Sequence, residues 1–181
     1  MTALNEKQKE LLPKLSPANI DPVSFLATDY LNHFNELLMM LEMLPDMPDM
    51  LEDLNDWSPK SYNEHFSESG FTDKELAIEA YENSPSAFKK QFDSTVTGLD
   101  QLITSTLAGL KAVGIIERGF SAPARMLLEA RIETMQALLL RLSGIIHGNL
   151  IEEHVESFSP AAAAQPEGDL QSQDDIDKMF E

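Results

Sequence analysis

The chain has 181 residues, 43% of them hydrophobic, so one domain with a real core plus a tail is the default expectation. It carries 31 acidic residues against 13 basic ones, a net charge of −18, and no cysteine. That balance repels nucleic acid and anionic lipid, excludes disulfides and thiolate metal sites, and fits a reducing cytoplasm.

The opening MTALNEKQKELLPKL lacks the apolar centre of an export signal. No run approaches the roughly 18 apolar residues of a membrane span, so no membrane role is expected. Residues 1–20 are polar and broken by Pro13 and Pro17, which predicts a flexible segment with at most a short helix over Asn5–Leu12.

Asp21 then reads as a helix cap followed by Pro22 at the first helical position. Val23, Ala27, Tyr30, Phe34, Leu37, Leu41 and Leu44 recur in steps of four and three, predicting one long helix to Pro45. The stretch PDMPDMLEDLNDW alternates acidic residues with Met47, Met50, Leu51, Leu54 and Trp57. It has no glycine to turn a calcium loop, so it reads as a short acidic helix with one face on the core; soft methionines could also serve a partner groove. Ser58–Ser69 and Thr72–Asn83 predict two short helices split by Gly70, the second opened by a Thr-x-x-Glu capping box at Thr72 and Glu75.

The organising stretch is Ser86–His147. Phe88, Phe92, Val96, Leu99, Ile103, Thr106, Leu110 and Val113 place one apolar stripe on a helix. Leu128, Ile132, Met135, Leu139, Leu142 and Ile146 place another on a second helix, capped by Ser121, entered through Pro123 and ended by Gly148. Gly114–Gly119 is the turn, giving a long antiparallel hairpin. Arg118 and Arg125 flank it as capping or packing charges, or as contacts for the acidic tail. The fold class is therefore all-α: a helical bundle of residues 21–148 built on this hairpin, with a disordered C-terminal tail. Apolar surface left over on the hairpin would also permit a homodimer.

After Gly148 the composition changes. Residues 149–171 read as an acidic flexible linker, with SPAAAAQPEGDLQ offering almost nothing to bury. From Asn149 onward nine acidic residues face only Lys178. Residues 172–181 read as a docking peptide: Ser172 and Asp175 form a cap signature, and Ile176, Met179 and Phe180 share one helical face. Asp174, Asp175 and Asp177 leave that face and favour the helix start. So short a helix is marginal alone and would order on a partner groove.

Ser172–Phe180, SQDDIDKMF, resembles the acidic peptide of the flagellar motor switch protein FliM, of the form Ser-Gln-acidic-acidic-Ile-Asp-x-Leu-Leu/Phe, with Met179 in place of the usual leucine. The resemblance implies a CheY-like receiver domain as partner. A helical hairpin, linker and terminal peptide is similar in layout to the chemotaxis phosphatase family CheZ. That family pairs into a four-helix bundle and uses a helix-borne glutamine with a nearby acidic residue to orient water on an aspartyl phosphate. Its stretch around that glutamine is not recognisable here; Glu129, Glu133 and Gln136 are the positional analogues, and Gln136 with Glu133 would be the catalytic candidates. The expected function is a cytoplasmic chemotaxis or flagellar interaction protein, more an adaptor than an enzyme. A divergent phosphatase and a purely structural helical protein stay open beside it. No cofactor or metal is expected: His33 and Glu36 lie three apart, but no Glu-x-x-His exists in the chain, and His33 reads as a polar flank.

Overall fold

The computed structural model describes residues 4–150. Among them there are eight α-helices and no strand: α1 Glu6–Leu15, α2 Asn32–Met43, α3 Leu51–Leu54, α4 Tyr62–Glu68, α5 Lys74–Glu82, α6 Ser86–Val113, α7 Ile115–Arg118 and α8 Ala122–Ile146. The fold is all-α and built on a hairpin of α6 and α8, as the apolar periodicity requires.

That hairpin follows its two stripes closely. On α6, Phe88, Phe92, Leu99, Ile103, Thr106 and Leu110 are buried; on α8, Leu128, Ile132, Met135, Leu142 and Ile146 are buried, with Ile145 added. Helices of 28 and 25 residues run about 42 and 38 Å, long enough for stripe-on-stripe packing to supply most of their stability. Ser121 caps α8, its Oγ accepting from the Ala124 N–H at 3.3 Å. Gly114 closes α6 in the left-handed conformation at φ 70°, and a single further turn, α7, buries Ile115 before the chain reverses.

Gly148 ends α8 for two reasons. Its φ is +79°, and an added Cβ would lie 3.0 Å from the Cβ of Val23. The Asn149 N–H reaches back to the Gly144 carbonyl at 2.9 Å, a Schellman-type closure.

The N-terminal expectation needs correction. Residues 4–20 are not a loose segment: α1 opens with a capping box in which the Asn5 side chain accepts from the Gln8 N–H and Gln8 returns the bond. Leu11, Leu15, Ala18 and Ile20 are buried in the common core. Pro13 sits inside α1 without ending it, and Gln8 Nε2 donates to the Asn83 carbonyl at 2.8 Å, fastening α1 beside α5. The core therefore begins well before residue 21.

The single helix expected from Asp21 to Leu44 is also corrected. Asp21 does cap, but it caps a turn: its Oδ1 accepts from the N–H groups of Val23 and Ser24 at 2.8 and 2.9 Å. Phe25 takes φ +66°, a conformation uncommon for a bulky residue, with its ring fully buried. A 3-10 turn over Thr28–Leu31 leads into α2, so only the second half of the stripe is α-helical. Long-range bonds hold this entry: the Ser24 hydroxyl donates to the Ile146 carbonyl, the Ser84 hydroxyl to the Ser24 carbonyl at 2.7 Å, and the Ala27 N–H to the Tyr62 hydroxyl at 2.9 Å.

The acidic stretch after Pro45 folds as expected, as a 3-10 turn over Pro48–Met50 continuing into α3, with Leu51 and Leu54 buried. The cap of α4 is Ser61, paired with Glu64 in a capping box, three residues later than Ser58. Thr72 does not cap α5; Asp73 occupies that place and makes no side-chain cap bond.

Candidate functional site

Two helices build the strip singled out on α8. Glu129, Glu133 and Gln136 follow at i, i+4 and i+7, so they share one ridge. Opposite them runs the end of α2: Gln136 Nε2 donates to Glu42 Oε1 at 2.8 Å, and Arg125 Nη2 donates to the Pro45 carbonyl at 2.8 Å while its Nη1 lies 3.4 Å from Asp46 Oδ1. Together they line an open groove of about 380 Å³. Arg125 thus secures the α2 terminus as a capping charge, the first of the roles its place beside the turn suggested.

The chemistry of this groove is limited by its exposure. Gln136, Glu129 and Glu133 face solvent, and the Gln136 amide N–H already serves Glu42. An amide can hold water only with its free groups, and exposed dipoles lose most of their electrostatic leverage to bulk water. The bond to Glu42 leaves the second amide N–H and the carbonyl oxygen of Gln136 free for a water, but in full contact with bulk solvent.

A second cluster surrounds Tyr30. Its ring lies 5.3 Å from Tyr62, 5.3 Å from Phe92 and 5.3 Å from His65, and its hydroxyl donates to the Lys60 carbonyl at 2.7 Å. Burial raises the phenols of Tyr30 and Tyr62 far above their ordinary value, so both act only as neutral hydrogen-bonding groups. His33 is part of this wall, where the spacing predicted a polar flank. Its ring stacks on Trp57 at 5.1 Å, and desolvation, aided by neighbouring His65, lowers its pKa to about 4. His33 Nε2 is buried without a hydrogen-bond partner. Nearby, His65 Nε2 meets Asp29 Oδ2 at 3.2 Å. Among the described residues no group of three or more histidine and carboxylate side chains is arranged to hold a metal ion, and no helix is long and apolar enough to cross a membrane.

Asp100 on α6 is half-buried, with Oδ1 lacking a partner, and desolvation raises its pKa to about 6.

One feature escaped sequence reasoning. Near the hairpin turn, Leu110, Val113, Ile115, Leu127 and Leu128 line an apolar groove of about 350 Å³, with Arg131 also in its wall. Arg131 Nη1 donates to Ser105 Oγ at 2.9 Å and to Thr106 Oγ1 at 3.2 Å, and no carboxylate pairs with it among the described residues. The available signal was the run Gln101–Val113, which has no acidic residue in a strongly acidic chain.

The docking-peptide residues Ser172, Asp174, Asp175, Ile176, Asp177, Met179 and Phe180 lie outside the described residues, as do the linker residues from 151 onward. Comparison of the chain with protein-family models, curated proteins and solved structures returned no match. What the described fold defines is a class only: an all-α helical body.

Proposed function

We propose that the chain is a cytoplasmic, non-enzymatic interaction protein of chemotaxis or flagellar signalling that docks a CheY-like receiver domain through Ser172–Phe180. One observation carries this reading: the closing residues SQDDIDKMF combine a cap signature, three apolar anchors on one helical face and three carboxylates off it, in the order of the FliM peptide. Ile176, Met179 and Phe180 fill the groove; Asp174, Asp175 and Asp177 set orientation and on-rate. The helical body supports the reading only as a preorganised carrier, and the exposure of its Gln136 groove favours binding over chemistry. The acid-free face around Arg131 leaves room for a homodimer of such carriers.

The test is a calorimetric titration of the full chain against CheY-like receivers, with and without a phosphoryl mimic. The expected result is saturable binding strengthened by the mimic and weakened about tenfold or more by Phe180→Ala. Binding by no receiver would remove the proposal.

The second reading, a divergent CheZ-type phosphatase, draws on Gln136, Glu133 and Glu129 sharing one groove. It predicts faster phosphate release from a phosphorylated receiver, abolished by Gln136→Ala. An unchanged rate in that variant excludes the residue.

A further inference from the structure

Between Lys14 and Lys60 the chain has no lysine or arginine, yet it holds nine acidic residues, and five of its nine methionines fall between Met39 and Met50. The fold turns three of these methionines outward. Met39 is 63% exposed, Met43 44% and Met47 51%. Met39 and Met43 are one turn apart on α2, and the Met47 N–H bonds the Met43 carbonyl at 3.0 Å, so the strip continues past the helix end without a break. It spans about 12 Å, roughly two helical turns.

Single exposed apolar side chains are ordinary; a contiguous apolar patch rimmed by polar residues points to an interaction surface. Methionine is unbranched and polarisable, which suits a surface that must fit a partner's side chains. The rim of the strip is acidic. Glu36 precedes Met39 by one turn, and Glu42 and Asp46 border it on the α8 side, where they engage Gln136 and Arg125. Asp49, Glu52 and Asp53 continue the same sign and are exposed.

We propose that this strip is a docking surface for a basic amphipathic helix of another protein. Aliphatic or aromatic side chains one and two turns apart on that helix cover Met39, Met43 and Met47, and its lysines or arginines face Glu36, Glu42 and Asp46. Charge selects this occupant. A second copy would set one acidic rim against another, and the chain's own closing residues are acidic as well. The strip lies on a different element from the receiver-binding peptide, and the proposal does not rest on that reading.

The test labels the methionine methyl groups of the full chain with carbon-13 and follows them by NMR. The probe is a synthetic Leu/Lys amphipathic helix of about 18 residues, five turns; the control is a scrambled peptide of identical composition. The expected result is saturable binding with shifts concentrated at Met39, Met43 and Met47. Met126 (exposed on α8) and the buried Met135 serve as internal references and stay still. The double variant Met39→Gln, Met43→Gln weakens binding about tenfold, and so does scrambling the peptide. Equal shifts at Met126, equal affinity for the scrambled peptide, or an unaffected double variant would overturn the proposal in favour of unspecific charge attraction. Concentration-dependent broadening of Met39 and Met43 without peptide would assign the strip to a second copy instead. No receiver domain enters this titration, so its failure and that of the receiver reading are read separately.

Discussion

The hairpin and the region ahead of it solve the same packing problem in opposite ways. In α6 and α8, long stripes of leucine, isoleucine and phenylalanine meet repeatedly, and the main polar tie between the two arms is Arg131 to Ser105 and Thr106. Ahead of α6, helices of 4 to 12 residues are too short to be stable by themselves. They are tied by bonds from side chains to distant backbone groups and by a cluster of rings around Tyr30 and Tyr62. Redundant contacts tolerate losses, whereas single unshared contacts do not.

The largest expected effect falls where the two regions meet. Phe92 leaves α6 to pack against Tyr30, Tyr62 and Tyr81, and Phe92→Ala should cost about 3–5 kcal/mol in urea denaturation. Separate unfolding transitions for the two regions in the wild-type chain would contradict this coupling. Tyr62→Phe removes one oxygen and leaves the buried Ala27 N–H without its acceptor, a loss of about 1–3 kcal/mol. Arg131→Met removes the polar tie of the hairpin and should change stability by less than about 0.5 kcal/mol. Should Arg131→Met cost as much as Tyr62→Phe, the contrast between the regions fails.

Acid–base behaviour sharpens the contrast, because each region holds one misfit group. Asp100 has a folded pKa of about 6, above its ordinary value of 3.8. Below about pH 4 both states are protonated and the residue costs nothing; as pH rises from about 4 to 6 the unfolded state ionises first and stability falls. Asp100→Asn should therefore stabilise at pH 8 and leave stability at pH 3 unchanged. His33 has a folded pKa of about 4, below its ordinary 6.5. Its stability is complete above about pH 6.5 and is lost as pH falls towards 4, because only the unfolded state takes the proton readily. His33→Phe, which keeps a ring against Trp57, should flatten that acid limb. Between about pH 4 and 6 the two trends oppose, so each variant unmasks the other. Denaturation curves at four or five pH values would show it.

The same division decides what could be read from residues alone. The hairpin was legible because Leu128, Ile132, Met135, Leu142 and Ile146 keep one period for the length of a helix, and period is a local property. The stretch from Asp21 to Leu44 has a similar period but not the same structure. Asp21 and Pro22 suit a helix start and a tight turn equally well, and nothing local says that Phe25 takes a positive φ. The choice is made by Ser24 bonding Ile146, 122 residues away, and by Ala27 bonding Tyr62, 35 residues away. Pro13 and Pro17 looked like breakers, but Leu11 and Leu15 bury enough surface to keep α1 docked. On the candidate strip, helical spacing placed Glu129, Glu133 and Gln136 together. Glu42 and Arg125 entered only through α2, whose position depends on tertiary packing. The outward methionines were visible as letters; their exposure was not.

If the body is a carrier and the closing peptide is the reader, the peptide should work elsewhere. The most direct measurement transplants residues 172–181 behind a flexible linker onto an unrelated soluble protein and compares its affinity for a phosphoryl-mimic-bound CheY-like receiver with that of the full chain. The predicted result is binding within about threefold of the full chain, weakened about tenfold or more by Phe180→Ala. A silent transplant, beside a full chain whose affinity is unchanged by Phe180→Ala, would contradict it and place recognition on the helices.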